Sequence, residues 1–514
     1  MKGTDFILGV DAGSSVIKAV AFDPRGNEAF VHELPARLKR PHPLWMEQDM
    51  EEMWRDVKKC VARVARSVRQ HHGNLLAIGV SSTGDGTWMI DARGRPVRNG
   101  ILWCDGRAAS IVNQWHAGSI AAEVFAICGT SVFTGSQAVQ LAWLRQHEPS
   151  SLRNADVIFH AKDWLFYKLT GNITTDETDA SLTMLRMSTR QYDAQLFKIL
   201  KIGDLFDKFP PVRTTRQNTG ALLPAVAQEL GLPRGLPVGA GPMDVAACAL
   251  GSGAIEHGEA SSILGTAAIH QLIMRKPILK PSMVGMTLCH GVEKRWIRLI
   301  AAMTATPNLD WVLREVGWDG AAAGQPGSDR FYRRLEDVLR GVPPGSEGVL
   351  YHPYLFPGGE RGPFVKPTAR ASFTGLSMSH GRRHLLRAVY EGVALSMFDC
   401  YRHMPIEPTA VYLSGGGSKS TFWCQLIADC LGKPVLVPAG SQFGAKGAAM
   451  SIGASIGIYA SAEDSVRKTV RWARHYAPNR KNSKIYGELY RIYKATYESQ
   501  MAGWDLRAQS LNQE

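Results

Sequence analysis

The sequence predicts an α/β protein made of two similar halves, and three observations carry that prediction. Strand-like and helix-like segments alternate along the 514 residues, with no low-complexity linker. A strand–polar turn–strand element opens the chain, and a second element of the same kind restarts the pattern after Gly251–Gly253. The composition, 45% hydrophobic and 20% charged, is that of a globular protein, and the length suggests two to four domains. The division falls near residues 246–258, giving expected domains at 1–250 and 251–514.

The elements follow in order. Phe6–Val10 is a short apolar run, and Val16–Phe22 is a second, rich in β-branched and aromatic residues. Between them stand Asp11, Ala12, Gly13, Ser14 and Ser15, all turn-forming types apart from the alanine. Such a turn is either a hairpin tip or a backbone nest for phosphate oxygens, with Asp11 holding a metal ion's water shell. In "EQDMEEMWRDVKKCVARVARSVRQ", Met53, Val57, Val61, Val64 and Val68 recur at helical spacing behind an acidic first turn. "LLAIGVSS" at 75–82 reads as a buried strand, and "LPVGAGPMD" at 236–244 as a strand entering a loop. In the second half, "SSILGTAAIHQLI" at 261–273 and "IRLIAAM" at 297–303 read as hairpin strands. "AVYLSGGGS" is a strand entering a glycine turn, followed by a helix that stops at Gly432.

Several function classes are disfavoured. The net charge of +13 is dispersed apart from 467–484, and no helix-turn-helix, RNP or zinc-finger pattern accompanies it, so no nucleic-acid partner is expected. The eight cysteines (60, 104, 128, 248, 289, 400, 424 and 430) show no ligand spacing and read as reduced core residues. The first apolar run ends at Asp11, too short for a signal sequence, and Gly447–Ala462 is too short to span a bilayer. A cytoplasmic enzyme without a membrane partner is the expectation.

Three polar turns call for one explanation: Asp11–Ser15, Gly265–Thr266 and Gly415–Ser418. Glycine beside a hydroxyl residue at a strand end lets backbone amides approach phosphates closely. The Walker A string is absent, and so is a Gly-x-Gly-x-x-Gly after the first strand. "GASIG" at 453–457 matches the hydrolase nucleophile string but lies in an alanine-rich helical run, where small residues serve packing.

With these residues in view, the chain resembles the FGGY carbohydrate kinases from Phe6 to about Tyr459. The blocks that carry the likeness, in order, are "GVDAGSSVIKAVAFD", "WMEQDMEEMW", "ILWCDGRAA", "KDWLFYKLTG", "GAGPMDVAACALGSG", "GTAA", and "SGGGSKSTFWCQLIADCLGKPV" with "FGAKGAA". The resemblance implies an actin-like ATPase (ribonuclease H-like) fold, two similar α/β domains around a central cleft, using ATP and Mg2+. It implies that Asp244 is the catalytic aspartate and that Asp11 organises the metal. Gly13, Ser14, Ser15 and Lys18 would meet phosphates, Gly265 and Thr266 would form a second phosphate loop, and Gly415, Gly416, Gly417 and Ser418 the adenosine block. The residues agree, since Asp244 follows a strand at the seam of the halves, where a general base is wanted; as a residue type it also suits a helix N-cap. A homodimer is a further implication.

The implied acceptor is a small polyol or ketose. Where the xylulose branch reads S-G-Q-M-H-G, this chain reads "SSTGDG", so Thr83, Gly84 and Asp85 replace Gln-Met-His, the Met-His pair included, and put D-xylulose in doubt. A carboxylate accepts hydrogen bonds from a vicinal diol, and glycine leaves room; Asp85 also suits a plain turn. "GDGTW" and 350–377 look closest to erythritol kinases, with L-xylulose kinases next. Trp103, Asp105 and Arg107 are expected to complete the polar pocket, with Arg107 also suited to a structural ion pair. A sugar-sensing protein on the same fold, and an actin-like ATPase without an acceptor, are the alternatives from other classes.

Overall fold

The apolar run at Phe6 and the β-branched segment after it form, in the computed structural model, the antiparallel strands Asp5–Ala12 and Val16–Phe22. The structure describes residues 4–317 and 329–511. Glu28–Pro35 continues the meander, its alternating exposure marking a half-solvated strand. On the other side of the first strand, Asn74–Ser82 and then Pro237–Ala240 add in parallel, and Thr219–Ala221 closes that edge antiparallel.

Helix Met50–Gln70 covers one face of this six-stranded sheet. Asp49 caps it by accepting from Glu52 N at 3.0 Å, and Met53, Val57, Val61, Val64 and Val68 are all buried. Burying such a side chain contributes about 1.5–3 kcal/mol relative to exposure, so the periodic stripe is what fixes this helix to the sheet. Helix Phe443–Ser455 packs on the first strand and on Asn74–Ser82. Small residues permit its close approach, for a Cβ at Gly79 would lie 2.1 Å from the Ala448 carbonyl oxygen.

Two compact units result. Unit 1 takes the chain up to His257, with Ile273–Arg298 and Gly440–Arg471; unit 2 takes Gly258–Leu272, Leu299–Ala439 and the chain from Trp472. Packing therefore divides the chain less simply than one cut at 250/251, and positions 1–3, 318–328 and 512–514 of the expected domains lie outside the described residues.

Unit 2 repeats the strand plan. Glu259–Leu264 and Ala268–Met274 form the antiparallel pair, Ala410–Ser414 adds in parallel, then Val435–Pro438, and Trp472–Tyr476 is the antiparallel edge. Trp296–Ala302 lies beyond Ala268–Met274. Helix Thr421–Leu431 starts where Ser420 Oγ accepts from Trp423 N at 2.9 Å and ends at Gly432, whose φ of 61° is left-handed.

None of the cysteines forms a disulfide, and six are buried. Cys104 is exposed and Cys248 half-buried, which corrects the expectation that all are core residues. Among the described residues, no helix is long and apolar enough to cross a membrane.

Candidate active site

Strand order builds the site of unit 1. Asp5–Ala12, Asn74–Ser82 and Pro237–Ala240 are parallel neighbours, with Asp11 opposite Ser81 and Ala240 opposite Val80. Their C-terminal ends therefore deliver Asp11–Ser15, Thr83–Asp85 and Gly241–Asp244 to one edge of the sheet, where open α/β sheets bind ligands. The loops are tied together, since Ala12 O accepts from both Ser82 Oγ at 2.7 Å and Thr83 N at 3.2 Å.

Gly13 N donates to Val16 O at 3.0 Å and closes the first turn, leaving Ser14 half-buried and Ser15 exposed. Asp11 and Lys18 are cross-strand partners, so their side chains share a face. The Asp11 carboxyl rests against Gly444, where a Cβ would come within 2.5 Å of Asp11 Oδ2. Burial pushes the Asp11 carboxyl up to about 6, against the opposing pull of Lys18. Asp244 opens helix Asp244–Ser252, half-buried, with Oδ1 accepting from Val245 N at 2.7 Å. Burial first, and then the charge of Asp11, push its carboxyl up to about 7, while the Val245 and Gly84 amides pull the other way. Two carboxylates thus repel each other beside Lys18. A carboxylate with serine hydroxyls alongside is the hard oxygen donor set that Mg2+ takes, usually with water and phosphate completing its shell, so the residues fit that ion.

Asp85 is buried at a φ of 58°, and its Oδ1 accepts from Gln137 N at 3.3 Å at the start of helix Gln137–His147. Gly84 is pinned from behind, for a Cβ there would meet Met243 Sδ at 2.6 Å. Trp103 is exposed, and its Nε1 donates to Ser14 Oγ at 3.3 Å, linking its loop to the Asp11–Ser15 turn. Asp105 differs from an open pocket group. It is wholly buried and accepts from Met46 N at 2.6 Å and from Arg107 N, Nε and Nη2 at 2.9 Å each. Arg107 also donates to Glu47 and stacks over Trp45 and Trp143, so the Asp105–Arg107 pair is a strut of this wall.

Sequence reasoning missed a buried cluster next to these loops. Lys162 Nζ lies 2.8 Å from Asp176 Oδ2 and 3.0 Å from Asp179 Oδ2, all wholly buried. Burial disfavours the ammonium, but Asp176, Asp179 and Asp163 outweigh it and raise its pKa. His160, Asp163 and Asp179 bring ligand-type atoms within 4.8 Å of one another, yet the Lys162 ammonium already supplies the positive charge there. The available signal was "TTDETDA" at 174–180, three acids among threonines, which on its own reads as a solvated turn.

Unit 2 holds the other two turns. Gly265 N donates to Ala267 O at 3.1 Å, Gly265 O accepts from Thr306 N at 3.0 Å, and Thr266 is exposed at the tip. Ile263 and Ser414 are parallel partners, so the Gly415–Ser418 turn emerges beside Gly265 at the same sheet end. Gly415 has a φ of 85°, with Leu264 O 2.6 Å from where a Cβ would be, so only glycine suits both the conformation and the space. Gly416 has open space around it, Gly417 packs on Leu264, and Ser418 Oγ donates to Gly415 O at 2.8 Å.

Comparison with known proteins places this geometry. The model of the FGGY family of carbohydrate kinases, N-terminal domain, matches residues 6–251, and that of the C-terminal domain matches residues 260–455. An erythritol kinase of Brucella abortus (strain 2308) is 32% identical over 510 residues, covering 98% of this chain and 97% of its own. A xylulose kinase of Escherichia coli (strain K12) is 31% identical over 443 residues, covering 85% and 87%. The crystal structure of a xylulose kinase from Rhodospirillum rubrum superposes with a TM-score of 0.88 at 25% identity, covering 97% of this chain and all of that one. The fold is the actin-like, ribonuclease H-like α/β type, as the repeated strand order of the two units requires.

Proposed function

The chain belongs to the FGGY family of carbohydrate kinases, and from that premise we propose that it transfers the γ-phosphoryl group of ATP to a hydroxyl of erythritol. The observation that carries the reading is the placement of Asp244, half-buried beside Gly84 and electrostatically coupled to Asp11, with its carboxyl near neutrality. A base with that proton affinity can take the proton of an alcohol as the bond to phosphorus forms. The acceptor O–H proton goes to Asp244, the acceptor oxygen bonds the γ-phosphorus, the bond to the β-phosphate oxygen breaks, and ADP leaves.

Other residues position and neutralise. Lys18 and the amides of Ser14 and Ser15 meet phosphate oxygens on the turn that Gly13 closes through Val16 O, while Asp11 would hold Mg2+, which neutralises phosphate charge when bound. Gly265 and Thr266 are assigned to phosphate, and Gly415, Gly416, Gly417 and Ser418 to the adenosine end of ATP. Thr83, Gly84 and Asp85 are assigned to the acceptor with Trp103, and Asp105 shapes the wall through Arg107. The second reading is a pentulose acceptor of the L-xylulose type, favoured by the comparable likeness to xylulose kinases.

A panel of polyols and ketoses, with wild type and Asp85→Ala, tests the assignment. Loss of one charged hydrogen bond should lower kcat/KM for erythritol about ten- to a hundred-fold and leave KM for ATP unchanged. A wide preference for D-xylulose or glycerol, or an Asp85→Ala variant with unaltered acceptor use, would refute the specificity reading.

A further inference from the structure

We propose that Thr178 is a positioning residue for Asp244, acting through the backbone of Met243; the inference rests on Asp244 being the general base. The turn Gly241–Met243 joins strand Pro237–Ala240 to helix Asp244–Ser252 and decides where that helix begins. It is clamped at three points. Gly241 N donates to Val80 O at 2.7 Å, Pro242 O accepts from Ser81 Oγ at 2.7 Å, and Met243 N donates to Thr178 Oγ1 at 2.9 Å.

The direction of the last bond is forced. An amide can only donate, so the threonine oxygen accepts from Met243, and its own proton goes to Asp176 Oδ1 at 2.6 Å. Asp176 is held in turn by Lys162 Nζ at 2.8 Å and by the amides of Thr178 at 2.8 Å and Asp179 at 3.2 Å. Lys162, Asp176 and Thr178 are wholly buried, and Met243 is 1% exposed. In so dry a setting an ion pair continued by hydrogen bonds rigidifies what it touches, and loss of the Thr178 hydroxyl leaves the buried Met243 amide unpaired. The Lys162–Asp176–Thr178 chain therefore ends on the residue before the base. That gives a buried ammonium among carboxylates a task in the reaction, namely to hold the start of the Asp244 helix in register with the acceptor loop.

The test is a double-mutant cycle on the MgATP-supplied enzyme with erythritol. Thr178→Val keeps the shape and removes the hydroxyl; Thr178→Ser keeps the hydroxyl. Each is made alone and combined with Asp244→Asn. Misplacing the base by a fraction of an ångström should lower kcat about ten- to a hundred-fold in Thr178→Val, with KM for ATP unchanged. Thr178→Ser should restore most of kcat. In the Asp244→Asn background, Thr178→Val should lower kcat by no more than about twofold, because a positioning residue has nothing left to position. Equal losses in the two backgrounds, or a Thr178→Val enzyme as active as wild type, would overturn the inference while leaving the kinase assignment intact. Should Thr178→Val fail to fold, Thr178→Ala, which also removes the hydroxyl that accepts from Met243 N, enters the same cycle with the same expected and refuting results. A wild type that phosphorylates no acceptor, or an Asp244→Asn variant with full kcat, would remove the function itself and this inference with it.

Discussion

Replacing Asp244 by asparagine should stabilise the folded chain while it disables turnover. Burial first, and then Asp11, push the carboxyl from its ordinary value of 3.8 up to about 7. That difference of about 3 units, at about 1.36 kcal/mol each, bounds the cost of the charged group at about 4 kcal/mol. Because Asp244 is half-buried and not sealed, water screens part of this, and roughly 2–3 kcal/mol is the expected gain from the neutral isostere. Below about pH 4 the carboxyl is neutral in both folded and unfolded chains, so the variant gains nothing there. Between about pH 4 and 7 the unfolded chain ionises first, wild-type stability falls as pH rises, and above about pH 7 the penalty is complete. Thermal unfolding at pH 4.5 and pH 8 reads this directly, with a gain of a few degrees at pH 8 that shrinks at pH 4.5. Turnover should drop by about 10² to 10⁴, the range for losing a general base. An asparagine variant no more stable than wild type at pH 8, or equally stabilised at both pH values, would refute the electrostatic account of this residue.

Two further perturbations follow from packing and charge. Gly79→Ala puts a methyl group 2.1 Å from Ala448 O, so helix Phe443–Ser455 must shift; a loss of about 1–3 kcal/mol or more is expected, with lower kcat because Gly444 abuts Asp11. Gly203→Ala, where nothing lies within 4 Å, is the neutral control in the same unfolding assay. Lys162→Met leaves Asp176 and Asp179 buried without their cation, so a loss of about 3–5 kcal/mol is expected at pH 8. That loss should diminish at pH 5, where the Asp179 carboxyl, raised by burial and no longer pulled down by Lys162, takes up a proton, and denaturation at both pH values checks it.

What was legible in the sequence was local. An apolar run followed by glycine and a hydroxyl residue gave both hairpins, the stripe from Met53 to Val68 gave the first helix, and strand ends located Asp11 and Asp244. The rest depends on partners distant in sequence. Gly440–Arg471 belongs with unit 1 because Gly79 and Ala448 interlock across 369 positions of chain, which no window of residues displays. Asp105 reads as a group of the polar pocket until Met46 N and Arg107 are seen to occupy its oxygens. Lys162 is one letter of "KDWLFYKLTG" in the sequence, because its counterions, Asp176 and Asp179, meet it only once the chain folds.

Transfer to an acceptor hydroxyl is what should drive ATP turnover in this kinase. Its most direct test measures ADP release by the purified chain with MgATP, with and without erythritol, while mass spectrometry follows the acceptor. Little ADP should appear without acceptor, and one phosphorylated erythritol should form for each ADP released. ADP release at the same rate without acceptor, or no phosphorylated product from any polyol or ketose offered, would contradict it.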